Sequence, residues 1–285
     1  MLVDALVEQG DLDAAEEVLR PLDADAETAS LTAAVLRFAR GRVRVARRRA
    51  ADGLADLLAV GALTDRVQVS CPSYLPWRSE AALAYHALSD QSSALRLAEE
   101  EVELARVFAA PRALGVALRA LGVITDGRAG EALLREALEC LERAGSPIER
   151  ARVLTDLGAL LRRGNRRTEA RSLLRDALDA AHRAGARPLA ERAETELRAT
   201  GARPRRVTLT GLDALTGQRA SNRRAGSSGV DESRDRAGAL RHRADGGRPS
   251  DERVPQVAAH LARGARPGAR SRYLPACVIR RVRRW

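Results

Sequence analysis

Apolar residues recur at helical spacing through most of residues 1–200. The plainest stretch is Ala170, Leu173, Leu174, Ala177, Leu178 and Ala181, spaced i, i+3, i+4, i+7, i+8 and i+11. That spacing lays one apolar stripe along one face of a helix. Thr168 stands near its start, and Ala184-Gly185 provides a stop where glycine adopts the left-handed conformation. Upstream, Glu149–Arg163 reads as a second amphipathic helix that ends at Gly164-Asn165. Two such helices joined by a short turn make an antiparallel hairpin. Further helices are predicted over Ala26–Gly41, Val43–Gly61, Arg78–Leu88 and Ser92–Phe108, the last with Asp90 as N-cap. Leu2, Leu6, Ala15 and Leu19 fit the same template around the turn Gly10-Asp11.

The hairpin repeats. Leu154, Leu157, Gly158, Leu161, Ala170, Leu174 and Ala177 fall at the small and large positions of a tetratricopeptide unit. In that reading Gly158 and Ala170 let the two helices approach, and the leucines fill the space between units. Leu133–Leu138 mirrors Leu173–Leu178 forty residues on, and Leu118, Leu121 and Gly122 mirror Leu154, Leu157 and Gly158 thirty-six residues on. The four-residue difference is expected in the loop between helices, where length changes are tolerated. The predicted fold is all-α, a tetratricopeptide-like solenoid of antiparallel helix pairs. Its first repeat is expected to be truncated, because that unit's first anchor position would precede Met1.

Composition divides the chain. It has 285 residues, 45% hydrophobic, 31% charged and 2% aromatic, so leucine and alanine supply the apolar surface. Its net charge is +11. Residues 201–285 hold 20 arginines against 7 acids, whereas residues 1–200 hold 29 arginines against 31 acids. The second part is rich in Arg, Gly, Pro and Ser and buries too little surface to offset chain entropy. The chain thus divides into helical repeats over 1–200, a linker over 201–218, and a largely disordered arginine-rich tail over 219–285. All 49 basic positions are arginine. Without lysine there is no P-loop, Schiff-base or kinase-type lysine, which sets aside self-contained nucleotide-hydrolysing and pyridoxal enzymes. No apolar run reaches the roughly 18 residues of a membrane helix. The start has no basic region of a signal peptide. Cys71, Cys140 and Cys277 lie far apart, which suits a reducing cytoplasm.

Few residues suggest site chemistry. Cys71-Pro72-Ser73-Tyr74-Leu75-Pro76-Trp77 concentrates two aromatics, two prolines and a cysteine. It reads either as a binding loop presenting Tyr74 and Trp77, or as a rigid connector whose aromatics plug the space between helix pairs; packing is the commoner use of large aromatics. His86 and His182 lack a second ligand at metal spacing, Cys140 reads as a small core residue, and Glu99-Glu100-Glu101 reads as a solvated helix face. No catalytic residue, cofactor site or metal site is predicted, and an enzyme is not expected. Clustered arginine in the tail would bind phosphate backbones weakly and without sequence preference. No aromatic interleaves it before Tyr273 to offer a stacking platform.

Residues 157–171, 184–193 and 200–206, including Leu157-Gly158-Ala159-Leu160-Leu161, Ala184-Gly185-Ala186-Arg187-Pro188 and Thr200-Gly201-Ala202-Arg203-Pro204, resemble the last helical repeats of large ATP-binding LuxR-type transcriptional regulators of actinobacteria. Leu209-Thr210-Gly211-Leu212-Asp213-Ala214-Leu215-Thr216 resembles the lead-in to their helix-turn-helix. The family would continue into that DNA-binding domain; this chain continues instead into arginine-rich sequence. Synonymous codons for Glu232–His242 can be chosen that, read one base later, spell SREIAQALFV, and His242–His260 can similarly give TAPTVDVHLTSVYRKLQH. Both strings resemble the family's helix-turn-helix. A one-base frame change between about Thr216 and Ser221, in the gene or in the recorded sequence, is therefore expected.

The resemblance implies a fragment of a LuxR-family transcriptional regulator. It would keep the helical-repeat sensor or interaction region and lack both the ATPase and a working DNA-binding domain. Its partners would be a protein or peptide, or a small inducer, in the solenoid groove; specific DNA binding belongs to the intact family. The competing reading is a stand-alone tetratricopeptide-like adaptor whose basic tail binds nucleic acid or acidic partners.

Overall fold

The computed structural model describes residues 2–22, 30–67, 69 and 71–202. The expectations for the tail, for the linker beyond Ala202 and for the frame change lie outside these residues. The described residues form eleven α-helices. They are α1 (Leu2–Gln9), α2 (Leu12–Leu19), α3 (Leu31–Ala46), α4 (Ala50–Arg66), α5 (Trp77–Ala87), α6 (Gln91–Phe108), α7 (Pro111–Thr125), α8 (Gly127–Arg143), α9 (Pro147–Arg163), α10 (Arg167–Arg183) and α11 (Arg187–Ala199). No helix among the described residues is long and apolar enough to cross a membrane.

The helices pair as antiparallel hairpins, α1 with α2 through α9 with α10, and α11 comes last among the described residues, in the place of a first helix. Each second helix packs on its own partner and on the first helix of the next pair. The first helices also touch one another in series, α3 on α5, α5 on α7, α7 on α9 and α9 on α11. This is the all-α, tetratricopeptide-like solenoid that the periodicity predicts. One further contact closes it: α1 touches both α3 and α11. The first helices therefore form a ring, with the second helices outside.

Local chemistry sets the helix ends. Ala14, Ala33 and Ser93 donate their backbone N–H groups to the side chains of Asp11, Ser30 and Asp90, each capping a helix start. Each such bond satisfies one of the donors left over by helix geometry. Gly10 and Gly185 take φ of +77° and +69° in the tight turns after α1 and α10, a conformation open to glycine at little cost.

Two boundaries differ from the pattern-based expectation. The α3–α4 turn lies at Arg47–Arg49 rather than at Gly41, with Arg48 in the left-handed region at φ +62°. Gly41 is buried inside α3 and faces Gly53 of α4. A Cβ on Gly53 would lie 2.8 Å from the Gly41 carbonyl oxygen. These glycines bring two helices together instead of ending one. The four-residue difference between repeats is also shared differently. Gly158 stands two residues further from the end of its helix than Gly122 does, and the α9–α10 loop is two residues longer than the α7–α8 loop. Half of the difference extends α9 and half lengthens the turn.

The apolar core has two large parts. One spans α6 to α11 and includes Leu134, Leu141, Leu154, Leu157, Leu161, Leu174 and Leu197. The other spans α3 to α7 and includes Phe38, Leu57, Val60, Trp77, Leu97 and Ile124. Leu121 packs against both. A small third cluster joins α1 and α2 to α3 through Val3, Ala15, Leu19 and Val43.

Candidate functional site

Charged side chains stand at one-face spacing on the first helices. Asp4 and Glu8 lie on α1, Arg42 on α3, Glu80 on α5, Arg112 and Arg119 on α7, Glu149, Arg152 and Asp156 on α9, and Arg192 and Glu196 on α11. Separations of three, four and seven residues keep each set on a single helical stripe. Ion pairs connect the stripes around and across the ring. Arg42 donates to Asp4 and, at 3.1 Å, to Glu8, and its Nε lies 4.0 Å from Glu80. Arg152 donates to Glu8 and, at 3.3 Å, to Glu149. Arg112 stands 3.6 Å from Glu149. Arg119 donates to Asp156 at 2.6 Å, and Arg192 donates to its other carboxylate oxygen. Arg162 holds Glu196 at 2.7 Å.

Burial sharpens these pairs. Asp156 is 5% exposed, and the side chains of Arg42, Glu8 and Arg152 are 14%, 17% and 17% exposed. Burial opposes the charge of Arg42, yet Glu80, Asp4 and Glu8 outweigh it and raise its pKa above the ordinary value. Arg152 obeys the same logic: burial lowers its pKa, and Glu149, Glu8 and Glu80 more than reverse that. Burial would raise the carboxyls of Glu149 and Asp156; the surrounding arginines hold both below the ordinary carboxylate range. The inner face is therefore a lattice of ion pairs in a partly desolvated space, where charge interactions are stronger than in water.

The residues predicted to carry repeat packing lie together. Leu154, Leu157, Leu161, Ala170, Leu174 and Ala177 are all buried in the larger core part. A Cβ on Gly158 would lie 2.6 Å from Leu174 Cγ, and one on Gly122 would lie 2.9 Å from Leu134 Cγ. The same leucine-over-glycine contact thus occurs in consecutive repeats. The two aromatics of the α4–α5 connector separate. Trp77 is buried with its ring over Gly61, where an added Cβ would lie 2.5 Å away, and the Arg78 guanidinium sits 4.4 Å from the ring centroid. Tyr74 is 53% exposed. Trp77 is packing, and only Tyr74 faces solvent. Cys140 is buried, with Arg143 donating to its Sγ at 3.3 Å. His86 is exposed and shares a 3.0 Å hydrogen bond with Gln91.

The acidic run on α6 departs from expectation. Glu99 is exposed and Glu100 half-buried, but Glu101 is 2% exposed. It falls at i+4 from Leu97 and i−4 from Ala105, on the buried stripe, so periodicity overrides the polarity of the run. Burial pushes its carboxyl up to about 7, against the opposing pull of Arg78 at 3.7 Å. Asp156 and Asp56 also escape a reading by pattern. Neither has an acidic neighbour in sequence, and what marks each is its arginine partners on other helices. Asp56 accepts from Arg40 and Arg44, each at 2.8 Å.

No family model matches this chain, and no curated protein matches it. Solved structures of helical-repeat proteins do. The apo form of the quorum sensor NprR from B. thuringiensis is 20% identical over 63% of this chain and 52% of its own, with a TM-score of 0.45. NprR in complex with its cognate peptide NprX is 19% identical over 70% of this chain and 64% of its own, with a TM-score of 0.46. A P. anserina protein described as a kinesin light chain with nearly identical TPR-like repeats is 19% identical over 63% of this chain and 91% of its own, with a TM-score of 0.40. This chain spans about half to two thirds of the length of the two NprR chains it matches. The assignment of a helix-pair solenoid rests on the order and packing of the helices themselves.

Proposed function

We propose that the chain is the helical-repeat interaction region of a fragment of a LuxR-type transcriptional regulator. It acts by binding a peptide or protein segment, or a small inducer, against the charged inner stripe of its first helices. The observation that carries the binding role is the inward convergence of Arg42, Glu80, Arg112, Arg119, Glu149, Arg152, Asp156 and Arg192 within one ring. A stripe that held only the solenoid together would be served better by apolar residues, since buried ion pairs contribute little net stability. Ordered charges at fixed spacing do give a partner something to read.

The regulator identity is supported by the resemblance of residues 150–216 and by the helix-turn-helix-like strings that synonymous codons for residues 232–260 can give one base on. In an intact regulator, a ligand in such a ring would couple to the DNA-binding domain only through differential affinity for two states. Two experiments test the reading. Peptides selected from a displayed library against the chain should lose binding when Arg112→Glu and Arg192→Glu are combined. Equal binding by this variant would place the peptide site elsewhere. Resequencing the genomic codons of Leu209–His260 should find, in the frame one base on, an open helix-turn-helix. A shifted frame that encodes nothing of the kind would overturn the regulator identity.

A further inference from the structure

The closing contact of the ring is chemically unlike the others. Between successive pairs the helices bury continuous apolar surface. Among the described residues, the α1–α2 hairpin shares a buried apolar cluster with α3, through Val3, Ala15, Leu19 and Val43, and no residue of α9 or α11 belongs to that cluster. Its reach to the far end of the chain is an ion pair and one small contact with a proline ring. Glu8 accepts from Arg152, 144 residues away, and Gly10 lies against the edge of Pro188. On the near side Arg42 holds Asp4 and Glu8, and Arg47 holds Asp13 and, at 2.8 Å, Glu16. Glu8 is thus gripped between two half-buried guanidinium groups from α3 and α9, a geometry suited to a carboxylate.

Charge arithmetic says what would replace it. Without Asp4 and Glu8, the inner stripe of α3, α5, α7 and α9 and Arg192 of α11 presents five arginines, Arg42, Arg112, Arg119, Arg152 and Arg192. They face four acids, Glu80, Glu149, Asp156 and Glu196, so the stripe keeps an excess of positive charge once Asp4 and Glu8 are gone. We infer that Arg42 and Arg152 form a carboxylate-binding site on the inner face, filled in this structure by Glu8. An acidic peptide takes the site by displacing the α1–α2 hairpin. The inference rests on the reading of the inner face as a peptide groove and specifies its ligand class and its internal competitor.

A competitor tethered in cis lowers apparent affinity by the fraction of time it is docked. Removing its grip should therefore strengthen binding. The probe is a ten-residue peptide of alternating Glu and Leu, with its Lys/Leu counterpart as control. Residues 201–285 carry 20 arginines and attract any acidic peptide, so total binding is not the readout. The readout is hydrogen exchange of the α1 amides in the full chain. With wild type, the Glu/Leu peptide should speed α1 exchange while α9 stays protected, and the Lys/Leu peptide should not. Glu8→Gln should lower the peptide concentration for half-maximal effect by about tenfold, a gain that misfolding does not produce. Arg152→Gln should abolish the peptide's protection of the inner-face amides of α9. Unchanged α1 exchange at saturating acidic peptide, or no gain with Glu8→Gln, overturns the inference. If library-selected peptides of any charge bind the ring while α1 stays protected, the groove stands and only the displacement fails. If no peptide binds either chain, the groove reading fails with it.

Discussion

At the scale of single residues, two buried carboxyls pull stability in opposite directions with pH. Glu101 has its carboxyl raised from 4.5 to about 7 by burial on α6. The folded state holds that proton more tightly than the unfolded chain. Its stabilising effect is therefore complete below pH 4.5 and is lost as pH rises through about 7. The loss is on the order of 2–3 kcal/mol. Urea unfolding at several pH values should show Glu101→Gln gaining on wild type between pH 4.5 and 7.5; parallel curves would show that Glu101 ionises in the folded chain as it does in the unfolded one. Asp156 behaves oppositely, since Arg119 and Arg192 hold its carboxyl low against the cost of burial. Its contribution is present above the ordinary carboxylate range and fades as pH falls through the lowered value. Asp156→Ala leaves Arg119 half-buried without its partner and should cost about 3–5 kcal/mol. A loss below about 1 kcal/mol in urea unfolding at pH 7 would mean that water replaces the carboxylate. Neither residue is conspicuous in the sequence. Glu101 is one of three consecutive glutamates, set apart by its place on the apolar stripe of α6, and Asp156 has no acidic neighbour, so its arginine partners from other helices distinguish it.

At the scale of helices, periodicity is a good guide to existence and a poorer one to ends. α6, α9 and α10 keep closely to the apolar spacing, because leucine and alanine on one stripe leave little freedom in how a helix is buried. The α3–α4 boundary is not legible in this way. Glycine signals a turn in isolation, but Gly41 and Gly53 form a matched pair across two helices, visible only once the helices are packed. The turn itself uses Arg48 at φ +62° and carries no turn signature. The close approach predicts the outcome of a small change. A Cβ on Gly53 would lie 2.6 Å from Val45 Cγ2 and 2.8 Å from the Gly41 carbonyl oxygen. Backbone cannot yield as a side-chain tip does, so Gly53→Ala should destabilise by about 1–3 kcal/mol despite the better helix propensity of alanine. A raised melting temperature would mean that α3 and α4 separate without cost. The same argument explains why Gly122 and Gly158 are readable: both recur at the repeat period, and each lies beneath a leucine, Leu134 or Leu174, of the facing helix.

At the scale of the whole molecule, charge sets the helical residues apart from the arginine-rich sequence after them. Residues 1–200 are close to neutral, and their arginines are largely committed to ion pairs across and along helices. Residues 201–285 carry 20 arginines against 7 acids. If that sequence is an out-of-frame remnant of a helix-turn-helix, it has no selected base-reading surface. Any DNA binding then comes from counterion release, which depends on phosphate density and not on base order. Full-length chain at about 50 mM salt should bind duplexes of unrelated sequence with the same affinity, within about threefold. Binding should fall by about 10³ or more between 50 and 200 mM salt if six or more phosphates are neutralised. A chain ending at Ala202 should not bind at either salt concentration, because its remaining charge is balanced and paired. A stand-alone adaptor with a nucleic-acid tail would share the salt slope but would show a preference among single-stranded, duplex and RNA ligands. A roughly tenfold preference surviving at about 200 mM salt would count against the remnant. The helical ring is expected to be indifferent to the deletion, since α11 ends at Ala199 and Arg171 of α10 closes it by donating to the Thr200 carbonyl at 2.7 Å.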